Sequence, residues 1–155
     1  NSYVLSETAN VVDIPYYLPT FNVPSAKNFR IISFNFYNLD TDPELVDDLV
    51  THITKADYIL IPSRRIFANH LRFPNQYPHL NNYYQALFDG RLGFELVNKT
   101  ESYPSLPSIS QFLNFSISLS DESAEETFTV FDHPVVRIYK KTQQHDEPYY
   151  RWLFD

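Results

Sequence analysis

The sequence predicts an α/β fold, a small Rossmann-like sandwich with a mostly parallel sheet and an antiparallel terminal hairpin. Three observations predict it. Two strand–helix–strand passages follow one another between residues 29 and 97, and the helix in each can carry the chain back to start a parallel strand. Two apolar runs at 128–131 and 135–139 flank a compact turn and read as a hairpin. The 155 residues, 17% of them aromatic, suffice for one domain whose core needs neither disulfide nor metal.

Taken in order, residues 3–5 read as a short strand and residues 6–10 as a polar turn. Pro15, Pro19 and Pro24 then interrupt a stretch rich in Tyr and Phe, which predicts an extended loop rather than a helix. Residues 29–36 are almost continuously apolar, as expected of a strand covered on both faces. Thr41 and Glu44 fit a capping box, and Pro43 falls in the first turn, where its missing N–H costs nothing. Leu45, Val46, Leu49, Val50 and Ile53 then repeat at helical spacing, and residues 58–61 supply the next strand.

In the second passage Leu80, Tyr83, Tyr84, Leu87 and Phe88 mark a helical stripe. Gly90 is placed to stop it in the left-handed conformation, and residues 94–97 return as a strand. A Pro/Ser-rich loop at 102–110 and an acidic run (Asp121, Glu122, Glu125, Glu126) precede the hairpin, whose turn is Asp132-His133-Pro134. Residues 1–142 make the single domain, and 143–155 form a tail holding Trp152, the one tryptophan.

The formal charge of -7 argues against nucleic acid, whose binders usually present a basic face, and equally against broad attachment to anionic lipid. Without cysteine there is no thiol chemistry and no disulfide. The chain holds no methionine, so the expectation is a piece processed or excised from something longer. No apolar run approaches the roughly 20 residues that span a bilayer.

Chemistry is sparse. Two glycines, Gly90 and Gly93, cannot build a phosphate-cradling loop or a dinucleotide fingerprint, and no nucleophile elbow occurs. His52, His70, His79, His133 and His145 show no metal-site spacing, so neither metal nor cofactor is expected. The best ligand candidates are Ser63, Arg64 and Arg65, which leave the carboxyl end of the 58–61 strand. Open α/β sheets bind ligands at such ends, and a guanidinium there can hold a phosphate or carboxylate. The plainer alternative pairs one arginine with Asp57 or Asp89. Asp132 and His133 form a second candidate, since a carboxylate can orient an imidazole, though Asp before a proline turn also serves to accept backbone N–H bonds. Tyr16, Tyr17, Tyr83, Tyr84, Tyr149, Tyr150 and Trp152 could stack on sugars or fill the core. Asn98-Lys99-Thr100 and Asn114-Phe115-Ser116 match the N-glycosylation triplet.

Residues 56–105 carry a longer pattern. Ala56-Asp57-Tyr58 is followed by Ser63 and Arg65, then by Tyr77-Pro78, Tyr83-Tyr84, Leu87-Phe88, Gly90 and Leu92-Gly93-Phe94-Glu95-Leu96. Ser102-Tyr103-Pro104 and a second block from Glu126 to Val135 complete it. In order and spacing this resembles the soluble region that follows the membrane helices of polytopic glycosyltransferases of family 39, the dolichyl-phosphate-mannose protein mannosyltransferase-like proteins. Gln76 stands where that family often has arginine, and the first 55 residues agree only in general layout.

The resemblance implies a parent that transfers a sugar from a polyprenyl-phosphate carrier at the extracytoplasmic face of a membrane. Its catalytic carboxylates would lie in a loop between membrane helices, outside this chain. The implied role here is therefore a non-catalytic accessory domain, partnered by the membrane-spanning remainder and contacting acceptor glycan or carrier headgroup. A free-standing module that binds carbohydrate or protein is the alternative, and a small enzyme built around Arg64 ranks below both.

Overall fold

The computed structural model describes residues 2–7, 29–100 and 135–154. Within them a five-stranded sheet forms from β1 (Ser2–Glu7), β2 (Phe29–Phe34), β3 (Tyr58–Ile61), β4 (Phe94–Thr100) and β5 (Val136–Lys141), in the order β2-β1-β3-β5-β4. β1 is parallel to β2 and to β3, whereas β5 is antiparallel to both β3 and β4. Four strands therefore share one direction, and the mostly parallel α/β sheet is the one the sequence predicts.

The antiparallel strand is not at the rim. The passage from β3 to β4 skips one strand position, and β5 occupies the gap, just as β1 occupies the gap between β2 and β3. From Arg137 to Lys140 both flanks of β5 are hydrogen-bonded to these neighbours. The expected hairpin partner at 128–131, its turn, the loop with Pro15, Pro19 and Pro24, and the acidic run all lie outside the described residues.

Burial follows position in the sheet. Ile59, Leu60 and Ile61 in the middle are 1%, 7% and 0% exposed, as a strand flanked on both sides and covered by helices requires. On the outer strand β4 only Phe94 is buried, and Glu95, Asn98 and Lys99 face water along the edge. The strand expected over 29–36 ends at Phe34, because Phe36–Asn38 closes a 3-10 turn that drives Phe36 into the core. Ser6 and Glu7, expected in a turn, belong to β1.

Helix α1 (Pro43–Lys55) has Pro43 in its first turn as predicted, but Asp42 caps it rather than Thr41. The Asp42 carboxylate accepts the Glu44 N–H at 3.1 Å, while Thr41 Oγ1 donates back to Asn38 O at 3.0 Å. Thr41 is thus occupied by the preceding turn. A six-residue helix, α2 (Arg65–His70), takes up the chain leaving β3, where sequence periodicity had no length to reveal it.

Helix α3 (Pro78–Phe88) has no cap of its own, and a distant residue supplies one. Asp40 accepts the N–H groups of His79 and Leu80 at 2.7 and 3.2 Å. Gly90 then ends the helix at φ 84°, as expected. The stretch set apart as a tail contains α4 (Glu147–Phe154), which buries Tyr150, Leu153 and Phe154 against α1 and α3. Phe154 O bonds His79 Nδ1 at 2.8 Å and accepts from Asn82 Nδ2 at 3.3 Å, tying this helix to α3.

One core joins these layers. Phe36 stacks 4.8 Å from Tyr83, which meets Tyr84 at 5.0 Å, and all three rings are buried. Burial of each such side chain is worth roughly 1.5–3 kcal/mol.

Candidate functional site

The strand order creates a reversal. The chain passes from β1 to β2 on one side, then returns across β1 to β3 on the other. In open α/β sheets the crevice beyond the carboxyl ends of the two strands flanking such a reversal is the usual ligand position. Here those ends are Glu7 on β1 and Ile61 on β3, and Pro62, Ser63, Arg64 and Arg65 leave from the latter. The arginine loop therefore stands where the sequence placed it.

Ser63 is 1% exposed, and its Oγ accepts the Arg65 N–H at 3.3 Å. Arg64 precedes α2 and its carbonyl accepts the Ala68 N–H at 2.9 Å. Arg64 and Arg65 are half-buried and each is engaged in contacts of its own. The two carboxylates considered as their partners have other ones. Asp89 pairs with Arg91 at 2.7 Å, and Asp57, at the opposite end of β3, accepts the Tyr3 N–H at 2.8 Å. Asp132 and His133 lie outside the described residues.

Beside this loop is a group that sequence reading missed. Tyr3, Leu5 and Glu7 share one face of β1 by the two-residue strand period, so Glu7 points to the helix-covered side with Leu5. Ser6 is level with Leu60 of β3, and Ile61 with Arg137 of β5. Extending that register by one residue sets Glu7, Ile61 and Arg137 in a row across three strands.

Glu7 is 3% exposed. Tyr84 donates its hydroxyl to Oε1, while Oε2 and the Tyr83 hydroxyl have no hydrogen-bond partner among the described residues. Burial pushes the carboxyl up to about 8, against the opposing pull of the Tyr84 hydrogen bond and the Arg137 charge. At neutral pH this acid is therefore mostly uncharged, able to donate as well as to accept. Burial and the nearby Glu7 also hold the Tyr83 and Tyr84 hydroxyls well above the usual phenol range. Arg137 lies over the Phe67 ring at 5.2 Å and donates to Val135 O at 3.3 Å.

The signal for Glu7 was present as a carboxylate continuing an inward-facing alternation, Tyr3, Leu5, Glu7. It was unreadable without knowing that α3 closes over that end.

The described histidines have structural settings. His52 bonds the Tyr3 hydroxyl at 2.8 Å, His70 bonds Ile66 O at 2.8 Å, His79 bonds Phe154 O, and His145 stacks on Tyr149 at 4.1 Å. Among the described residues no three His, Cys, Asp or Glu side chains gather as metal ligands. Of the aromatics considered for sugar stacking, Tyr83, Tyr84 and Tyr150 are core, whereas Trp152 is 68% exposed, 5.9 Å from Tyr149.

Two open clefts, of about 350 and 540 Å³, sit elsewhere. The first lies between α1 and α4, bordered by Asp40, Asp47 and Arg151, and the second at the amino ends of the strands near Asp57 and Lys141. Neither touches Glu7 or Ser63. No family model, curated protein or solved structure matches this chain.

Proposed function

We propose that this chain is a non-catalytic extracytoplasmic accessory domain of a membrane glycosyltransferase that uses a polyprenyl-phosphate-linked sugar, and that Ser63, Arg64 and Arg65 contact the carrier's phosphate headgroup. The observation that carries the reading is the ordered pattern over residues 56–105. Its members occupy fold-determining places. Ala56, Tyr83, Tyr84, Leu87, Leu92 and Phe94 are all at most 1% exposed, and Gly90 and Gly93 take φ 84° and 81°. A pattern spent on core and turns marks a kind of domain rather than a reaction, which agrees with an accessory role.

The headgroup part rests on the position of the arginine loop at the carboxyl end of β3, where a guanidinium meets a phosphate with paired N–H donors. Among the described residues no helix is long and apolar enough to cross a membrane, so anchoring falls to the membrane-spanning remainder of the parent.

Titration of the ¹⁵N-labelled chain with a short-chain polyprenyl-phosphate mannose tests it. Amide shifts centred on Ser63 to Arg65, lost in an Arg64→Ala, Arg65→Ala variant, are expected. Shifts produced by free mannan and centred on Trp152 would instead favour a free-standing carbohydrate-binding module, the reading to which the exposed Tyr149–Trp152 pair lends support. Sugar transfer by the chain alone would overturn the non-catalytic role.

A further inference from the structure

We propose that Glu7 is a proton-operated latch: protonated, its carboxyl holds the carboxyl end of β1 shut beneath α3, and loss of the proton releases that end of the strand. The geometry carries the argument. Glu7 closes β1 opposite Phe34 of β2, at the reversal point of the sheet, with Tyr83 and Tyr84 of α3 above it. Tyr84 satisfies Oε1, and Oε2 is left without a partner among the described residues. A neutral carboxyl leaves only one O–H unpaired there, whereas a carboxylate leaves a buried charge with one bare oxygen, which costs far more.

The groups facing Glu7 cannot rescue the charged form in place. Among the described residues, α3 contributes two phenols, β5 the guanidinium of Arg137, and β2 and β3 the apolar Phe34 and Ile61. Arg137 acts on Glu7 through space, but its NH1 donates to Val135 O and its carbon packs on Phe67. The least costly response is for the strand end to fray and let water reach the carboxylate. Ser6 and Glu7 are the last paired residues of β1, so this breaks few bonds.

The sign of the linkage is defined. The shut form keeps its proton up to about pH 8, whereas the opened form gives it up near the ordinary value of 4.5. Between those limits opening releases one proton, so the open population grows about tenfold per pH unit and levels off above about pH 8.

Amide exchange on the chain, corrected for the intrinsic pH dependence of exchange, tests this directly. Protection at Ser6, Glu7, Ser33 and Phe34 is expected to fall about tenfold per unit from about pH 5 to 8 while staying below that of the most protected amides in the molecule. Glu7→Gln, which mimics the neutral acid, should flatten the profile. Tyr84→Phe removes the bond that lowers the Glu7 pKa and should move the plateau to higher pH.

A pH-independent profile, or protection equal to the most protected amides at every pH, would sink the latch, since the second means that Glu7 is exposed only on global unfolding. Should Glu7→Gln fail to fold, the carboxyl carbon of Glu7 can be followed by NMR in the unaltered chain. Titration near 8 supports the mechanism, and titration near 4.5 overturns it.

Discussion

The two ends of the central strands are built on opposite terms. At the amino end Asp57 accepts the Tyr3 N–H at 2.8 Å, its own N–H donates to Tyr3 O at 2.8 Å, and its carbonyl accepts the Lys141 N–H at 2.8 Å. Lys141 Nζ closes the end of α1 by donating to Ile53 O at 2.8 Å and Thr54 O at 2.9 Å, with Gln144 Oε1 as a third acceptor at 3.1 Å. A cation at a helix carboxyl terminus is the arrangement the helix dipole favours. At the other end a buried acid and a phenol each have one polar atom unmatched among the described residues. Polar groups that are fully matched hold a fold together, whereas unmatched ones make a region sensitive to its surroundings.

The largest expected effect breaks this contrast through pH. Because the folded pKa of Glu7 is raised from 4.5 to about 8, stability is full below pH 4.5, falls as pH rises toward 8 and then levels. At about 1.4 kcal/mol per unit the loss is at most about 5 kcal/mol, and smaller to the extent that the opened strand end lets the acid ionise in the folded protein; urea melts of wild type against Glu7→Gln across that range will measure it. A parallel decline in both proteins would place the titrating group elsewhere.

The amino end should be broken by a methyl group. A Cβ on Gly93 would clash with Gln143 O, on a backbone at φ 81°. Gly93→Ala should cost about 3 kcal/mol, combining clash with left-handed strain. Gly90 shares the conformation but has open space around it, so Gly90→Ala should cost only about 1 kcal/mol. Equal midpoints in denaturant would refute the difference.

Next in size is Lys141→Met, which keeps the packing against Phe94 but takes the ammonium away from two helix carbonyls, leaving Ile53 O with the Ala56 N–H and Thr54 O with Gln144 Nε2. About 2 kcal/mol is expected, and thermal melts should show it. Smallest is the tyrosine pair. Tyr84→Phe deletes the bond to Glu7 and should destabilise by about 1 kcal/mol, whereas Tyr83→Phe removes an unmatched hydroxyl and should be neutral or stabilising by a similar amount. Reversal of that order would contradict the assignment of the bond to Tyr84.

Much of this architecture was legible in the chain. Pro43, the Leu49–Val50–Ile53 stripe, the apolar run of β3 and Gly90 are local signals read over a few residues, and the structure places all of them as predicted. Where reading went astray, a distant partner intervened. Thr41 looked like the cap of α1 but is held by Asn38, and the sheet gave its antiparallel strand an inner place because β3 and β4 left a gap there. The aromatic residues near the end looked like a tail, yet Tyr150, Leu153 and Phe154 found cover against α1 and α3.

The candidate site divides along the same line. Ser63, Arg64 and Arg65 were legible because they directly follow a recognisable strand. Glu7 was not, because its burial and its partner 77 residues away in sequence exist only after folding.

The sequence by itself determined the α/β class, the helix stripes, the glycine stop and the arginine loop, since each depends on near neighbours along the chain. Only the tertiary structure decided that Asp40 would cap a helix 39 residues away and that Glu7 would stay uncharged. Hydrogen-bond partners and local dielectric are set by whatever segments fold together around a group, and no periodicity records them.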